Sequence, residues 1–245
     1  MKKLIIVSTA LCVALIAAGC SGTKNAPASE PVVIATVPTA VSESTVEETT
    51  APAHQVTVED LTNVTLSDGV TDYNSSIPKL IVDGQEATEI NNSISNYIQE
   101  TYPLEKTDDG VDGYETRYSW GVMDNTVSIV INASAVCEDY FTCEVFNYDL
   151  DTLQPLSDSE VVSRFGMTDD EFFSKTAEVY MSYFGNIPDY DINKSIAAIN
   201  YDKITPMITS NGNPGVAGCV IYAADSQFGG MESIRCFDIV TMERV

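Results

Sequence analysis

Residues Tyr114 to Ala135 read YETRYSWGVMDNTVSIVINASA, and this stretch decides the fold class. Tyr114, Thr116, Tyr118, Trp120 and Val122 alternate with Glu115, Arg117, Ser119, Gly121 and Met123. Asp124-Asn125 is a two-residue turn signal, and Val127, Ile129, Ile131, Ala133 and Ala135 then resume the period of two. Successive side chains of a strand point to opposite faces, so the pattern predicts an antiparallel hairpin with one buried face. Glu144 to Leu150 predicts a third strand and completes a meander.

Upstream, Val56 to Leu66 and Pro78 to Val82 read as strands. Asp83 and Glu86 have capping-box spacing, and Ile90, Ile94, Tyr97 and Ile98 share one helical face. Pro103 ends that helix, and Lys106 to Gly113 reads as a polar loop. Downstream, Ser157 with Glu160 opens a short helix that Gly166 stops, and Thr168 with Glu171 opens a longer one. On that longer helix Phe173, Ala177, Tyr180 and Phe184 fall on one face, and Gly185 ends it. Ile192, Ile196 and Ile199 suggest a further short helix. Gly218 to Ala224 and Glu232 to Val240 read as a last pair of strands, with Phe228-Gly229-Gly230 near their turn. Strands, then helices, then strands again predict an α+β domain, an antiparallel meander packed by a few helices, over residues 56–245.

The run from Ile77-Pro78-Lys79-Leu80-Ile81-Val82 through Asn125-Thr-Val-Ser-Ile-Val-Ile-Asn-Ala133 to Tyr148-Asp-Leu-Asp-Thr152 and Pro155-Leu-Ser-Asp-Ser-Glu-Val-Val162 resembles a known module. It is similar to the extracytoplasmic domain of lysozyme-binding anti-sigma factors, and to the sister module preceding the catalytic domain of some peptidoglycan deacetylases. Residues 76–184 carry the likeness. Two positions depart from it. Tyr140 is followed by Phe141-Thr142-Cys143 where the family often has Gly-Gly-Ala-His, and Leu153 stands where a glycine is usual. The resemblance implies an extracytoplasmic binding domain and brings no catalytic residue with it.

The N-terminus agrees with that setting. Lys2 and Lys3 precede an apolar run from Leu4 to Ala18 that is shorter than a spanning helix needs, and Ala17-Ala18-Gly19 then lead into Cys20. This arrangement resembles the lipobox of bacterial lipoproteins, with Ala17 where leucine is usual. It implies a signal peptide over residues 1–19 and a lipid on Cys20, which becomes the mature N-terminus at the outer face of the cell membrane. Residues 20–55 are rich in Thr, Ala, Pro, Ser, Val and Glu and contain no aromatic, so they are read as a disordered tether. A chain of that length and flexibility reaches on the order of 30–40 Å.

The whole chain carries a formal charge of −24, and loss of Lys2 and Lys3 with the signal makes the mature chain −26. Such a chain repels nucleic acid and anionic headgroups and attracts cationic proteins or peptides. The only histidine, His54, falls in the tether, so no Ser-His-Asp or Cys-His catalytic arrangement is available and a histidine-containing zinc site is disfavoured. No metal and no cofactor is expected. Ser76-Ile-Pro-Lys79 matches the S-x-x-K acylation motif, but Pro78 at a strand entry does not suit the helix start that the motif requires. Asp189-Tyr-Asp191-Ile-Asn193 imitates a calcium loop, yet Lys194 takes the place of its glycine, and a helix-start cluster fits better. An acidic chain can also hold two carboxylates for glycoside hydrolysis, although no spacing singles out a pair.

Outside the signal and the lipid site, four cysteines remain: Cys137, Cys143, Cys219 and Cys236. An even number outside the cytoplasm suits disulfides, and pairing within each hairpin, Cys137 with Cys143 and Cys219 with Cys236, is the expectation; free buried thiols are the alternative. Tyr140, Phe141 and Phe228, near the two hairpin turns, form the expected contact patch for a protein, peptide or wall glycan. The two competing functions are therefore a non-catalytic binding module and a cell-wall carbohydrate-active enzyme. Metabolic labelling with a palmitate analogue is expected to tag the chain, and Cys20→Ala to abolish tagging and membrane retention. An unlabelled, freely released wild-type chain would contradict the anchor.

Overall fold

A computed structural model of the chain describes residues 54–136 and 141–245. The signal, Cys20, nearly all of the tether, Cys137 and Tyr140 lie outside the described residues. The chain runs through β1 (Val56–Ser67), β2 (Asp72–Val82), β3 (Gln85–Glu86), α1 (Thr88–Thr101), β4 (Leu104–Thr107), β5 (Gly110–Met123), β6 (Thr126–Ala135) and β7 (Phe141–Asp149). It continues through α2 (Asp158–Arg164), α3 (Asp169–Phe184), α4 (Ile192–Ala197), β8 (Ile204–Ile208), β9 (Pro214–Ile221) and β10 (Glu232–Asp238). The fold is α+β, as expected.

The strands form two sheets. The larger has the order β1-β2-β5-β6-β7, with β3 on β2 and β4 on β5, and the smaller has the order β10-β9-β8. The β5–β6–β7 meander has the register its alternation predicts, with Val122 opposite Val127 and Ile131 opposite Glu144. One buried face was expected, but the structure gives β6 two. Val127, Ile129 and Ile131 pack beneath α1 with Leu80, Ile94 and Ile98. Val130, on the opposite face, packs with Cys143, Met207, Ala217 and Cys236 in a core between the sheets. The far side of the small sheet carries a third core in which Val216, Val220 and Phe237 meet Phe172, Val179, Tyr180 and Phe184 of α3. The order of layers is thus helix, large sheet, small sheet, helices.

The sheets meet at close range. A Cβ on Gly121 would lie 2.0 Å from the Thr209 carbonyl oxygen, so only glycine admits this contact of β5 with the end of β8. Alongside it, Ile208 N–H donates to Ser128 Oγ at 2.8 Å, and Ser128 O–H donates to Asn147 Oδ1 at 2.5 Å. Asn147 Nδ2 in turn donates to the Pro206 carbonyl at 2.9 Å. Two side chains of the large sheet therefore satisfy the free edge of β8.

Several local expectations change. Asp83 and Gly84, both with positive φ (51° and 76°), form the two-residue turn of the β2–β3 hairpin rather than a helix cap. Helix α1 begins later, at Thr88, with no side-chain cap. Lys106 to Gly113 is not a loop: β4 pairs with β5 across Asp108-Asp109. On α3 the buried face is Phe172, Thr176, Val179, Tyr180 and Phe184, while Phe173 packs edge-on against Tyr201 at 5.0 Å. Strand β8, with no sequence counterpart above, completes the small sheet. The Thr168/Glu171 box forms with reciprocal bonds, and at Ser157/Glu160 the Glu160 carboxylate accepts from the Ser157 amide and hydroxyl.

Arg164 of α2 ties the helices to the meander by donating to Asp149, to the Asn125 carbonyl and to Thr126 Oγ1. The guanidinium, then the Thr152 amide and hydroxyl, hold the Asp149 carboxyl down at about 2 against the effect of burial. A depressed carboxyl stabilises the fold above its unfolded pKa of about 4 and loses that contribution as pH falls through its folded value. Urea unfolding from pH 5 to pH 2 should therefore show stability falling with acid. Asp149→Asn should cost about 2 kcal/mol at neutral pH and flatten that fall. An unchanged acid dependence in the variant would contradict the assignment.

Candidate functional site

The first half of β7 and the facing strands of the small sheet enclose a cleft between the two sheets, with a volume of about 280 Å³. Val145, Ile204, Ala217 and Ile234 give it apolar walls, while Phe141, Asp202, Lys203 and Glu232 stand around it. Strand alternation builds it: Cys143 and Val145 turn toward the small sheet, and Ala217 and Ile234 turn toward the large one. Lys203 grips both oxygens of Glu232 at 2.8 and 2.7 Å, which holds the Glu232 carboxyl below its usual range. Cys219 also lines the cleft; burial first, then the Glu232 charge, pushes its thiol up to about 11.

Two residues of the expected aromatic patch, Phe141 and Phe228, are linked through other side chains. Phe141 lies under the Arg235 guanidinium, 5.5 Å from ring centroid to Cζ. Arg235 donates to the Tyr222 hydroxyl at 3.3 Å, and Tyr222 packs on Phe228 at 4.5 Å and stacks on Tyr190 at 4.6 Å. Phe141 and Phe228 thus belong to one chain of contacts through Arg235 and Tyr222, and both are half-buried rather than projecting into water. Tyr140 lies outside the described residues. Sequence reading missed Arg235, Tyr222 and Tyr190, because only the pairing of β10 with β9 and the return of the chain at Tyr190 bring them alongside.

The cysteines are arranged differently from expectation. Cys236 lies opposite Ala217, and Cys219 opposite Ile234, so the two do not face each other across the hairpin. Cys236 instead meets Cys143 of β7, with the sulfurs 3.4 Å apart, because the small sheet lays β10 against β7. Cys143, Cys219 and Cys236 are all free thiols and all buried. Pairing of Cys219 with Cys236 is therefore corrected, and the Cys137–Cys143 expectation falls on a residue outside the described ones.

Other motifs resolve into structural roles. Ser76 and Lys79 lie on strand β2, where residues three apart point to opposite faces, and Lys79 is paired with Glu59 at 2.8 Å and Glu86 at 3.1 Å. Asp191 caps α4 by accepting from the Lys194 amide at 3.1 Å, as the helix-start reading predicts. His54 and Gln55, placed in the tether by composition, are tied to the domain. His54 sits between Asp83 at 2.7 Å and Asp151 at 2.9 Å, and these bonds raise its pKa. Among the described residues no group of three or more His, Cys, Asp or Glu could hold a metal ion. Among them, too, no helix is long and apolar enough to cross a membrane. Compared with protein-family models and with curated protein sequences, the chain matches none.

Proposed function

We propose that the protein is a lipid-anchored, extracytoplasmic binding module that takes a cationic segment of a protein or peptide at its inter-sheet cleft. The observation that carries this reading is the make-up of the cleft: the apolar side chains of Val145, Ile204 and Ile234 beside Asp202 and Glu232, with the rim cation Lys203 already held by Glu232. At about 280 Å³ it suits a side chain or two rather than a whole organic ligand. A lysine or arginine of a partner would lay its stem on Val145, Ile204 and Ile234 and its charged end beside Asp202 and Glu232. The formal charge of the chain, −24, would speed the approach of such a partner and make association salt-sensitive. The resemblance to lysozyme-binding ectodomains points to the same class, and the lipid on Cys20 would hold the module at the membrane.

The alternative, glycan hydrolysis by paired carboxylates, would draw on Glu144, whose carboxyl burial pushes up. Glu144 is among the residues that border the cleft, but its carboxyl is hydrogen-bonded with Tyr97 on the α1 side of β7.

The test immobilises the full chain and measures binding of lysozyme, as a cationic wall-active protein, and of purified peptidoglycan, with release of reducing ends followed in parallel. Lysozyme binding that falls steeply with salt is expected, weakened about tenfold or more by Glu232→Gln combined with Asp202→Asn. Phe141→Ala should weaken it as well. Release of reducing ends without binding of the cationic protein would overturn the proposal in favour of the enzyme.

A further inference from the structure

We infer that Cys143 and Cys236 are a disulfide-forming site that bolts the two sheets together through the core between them. Four observations carry this. The sulfurs lie 3.4 Å apart, with the side chains already directed at each other. The residues come from different sheets, β7 and β10, and are 93 positions apart in sequence. Both are buried, among Val130, Met207 and Ala217, where a disulfide packs as well as two thiols. Cys219, the third described thiol, is hydrogen-bonded with Glu232 instead, so the pair is selected by geometry rather than by simple crowding of cysteines. A bonded S–S distance is about 2.0 Å, which a modest side-chain rotation would reach from the observed contact.

The chemistry balances with a disulfide-bearing oxidant such as oxidised glutathione or a thiol–disulfide exchange protein. The Cys236 thiolate attacks one sulfur of the oxidant, breaking its S–S bond, expelling one thiolate and leaving a mixed disulfide. The Cys143 thiolate then attacks the Cys236 sulfur, forming the bond within the chain and expelling the second thiolate. Two protons leave the cysteines, and two electrons pass to the oxidant, which departs as two thiols. The two cysteines can also exchange these roles, since each step needs only a thiolate and an accessible sulfur. Because both residues are buried in the closed fold, exchange belongs to folding, before the small sheet settles on the large one. The closed loop would contain α2, α3, α4, β8 and β9. Its formation in the cell rests on the extracytoplasmic reading, since a reducing compartment would keep the thiols apart.

To test this, the full chain is unfolded under reductant and refolded with reduced and oxidised glutathione. It is then acid-quenched, alkylated and mapped by digestion without reductant. A cross-linked peptide joining Cys143 to Cys236 is expected, with Cys219 alkylated, and the same link is expected in Cys219→Ser. The oxidised chain should melt about 10 °C above the same chain in reductant, as a closed loop of this size implies. Alkylation of both Cys143 and Cys236, or linkage of either to Cys137 or Cys219, would overturn the site. A link formed on refolding yet missing from the chain taken from its own cells would count against the extracytoplasmic reading and leave the site standing.

Discussion

The hydrogen-bond relay from Ile208 through Ser128 and Asn147 to Pro206 is the contact on which the arrangement of the two sheets depends. Strand β8 is the edge of the small sheet, and an edge strand leaves backbone N–H and C=O groups without partners. Here that edge is buried against the face of the large sheet, where an unpaired group would cost about 1–3 kcal/mol. Ser128 and Asn147, both buried, supply the missing donor and acceptor and satisfy each other between them. Gly121 allows the approach by leaving room for the Thr209 carbonyl. Among the described residues, no buried side-chain nitrogen or oxygen lacks a partner.

Docking one sheet by its edge shapes what lies further along the interface. The inter-sheet core is small, comprising Val130, Cys143, Met207, Ala217 and Cys236 with Val145 and Ile234 at its margin, and beyond it the sheets enclose the cleft. The apolar walls belong to strands β7, β8, β9 and β10, whereas the rim residues Asp202 and Lys203 sit on the turn before β8. The same device of a buried amide serving backbone recurs on the other face. There Asn91 of α1 accepts from the Leu80 amide at 2.7 Å and donates to the Leu80 carbonyl at 3.0 Å, fixing the helix on β2.

What the sequence made legible was local. The β5–β6 register follows from alternation around Asp124-Asn125, and both S/T-x-x-E boxes cap helices, because each signal is completed within a few residues. Asp83-x-x-Glu86 has a similar spacing, but Asp83-Gly84 reads more strongly as a positive-φ turn, and the hairpin won. Ser128 falls between the periodic positions Val127 and Ile129, off the one face expected to be buried, and Asn147 carried no assignment of its own. They are buried because a second sheet covers them with its edge strand β8, which was absent from the reading. The cysteine contact was hidden for the same reason: proximity of the two hairpins is a tertiary fact that spacing within either one does not encode. Phe141 and Phe228 were found by their place near turns, whereas Arg235 and Tyr222, which join them, carried no local signal.

Amide hydrogen exchange at Ile208 tests the central claim, edge-on docking of the small sheet through Ser128 and Asn147, most directly. In the native chain this amide should exchange as slowly as those of the central strand β6, through global opening alone. In Ser128→Ala it should exchange about tenfold faster or more, while amides of α1, on the far face, keep their order of protection. Exchange of the Ile208 amide at the rate of an exposed strand edge in the native chain would contradict the account. So would a rate unaffected by Ser128→Ala.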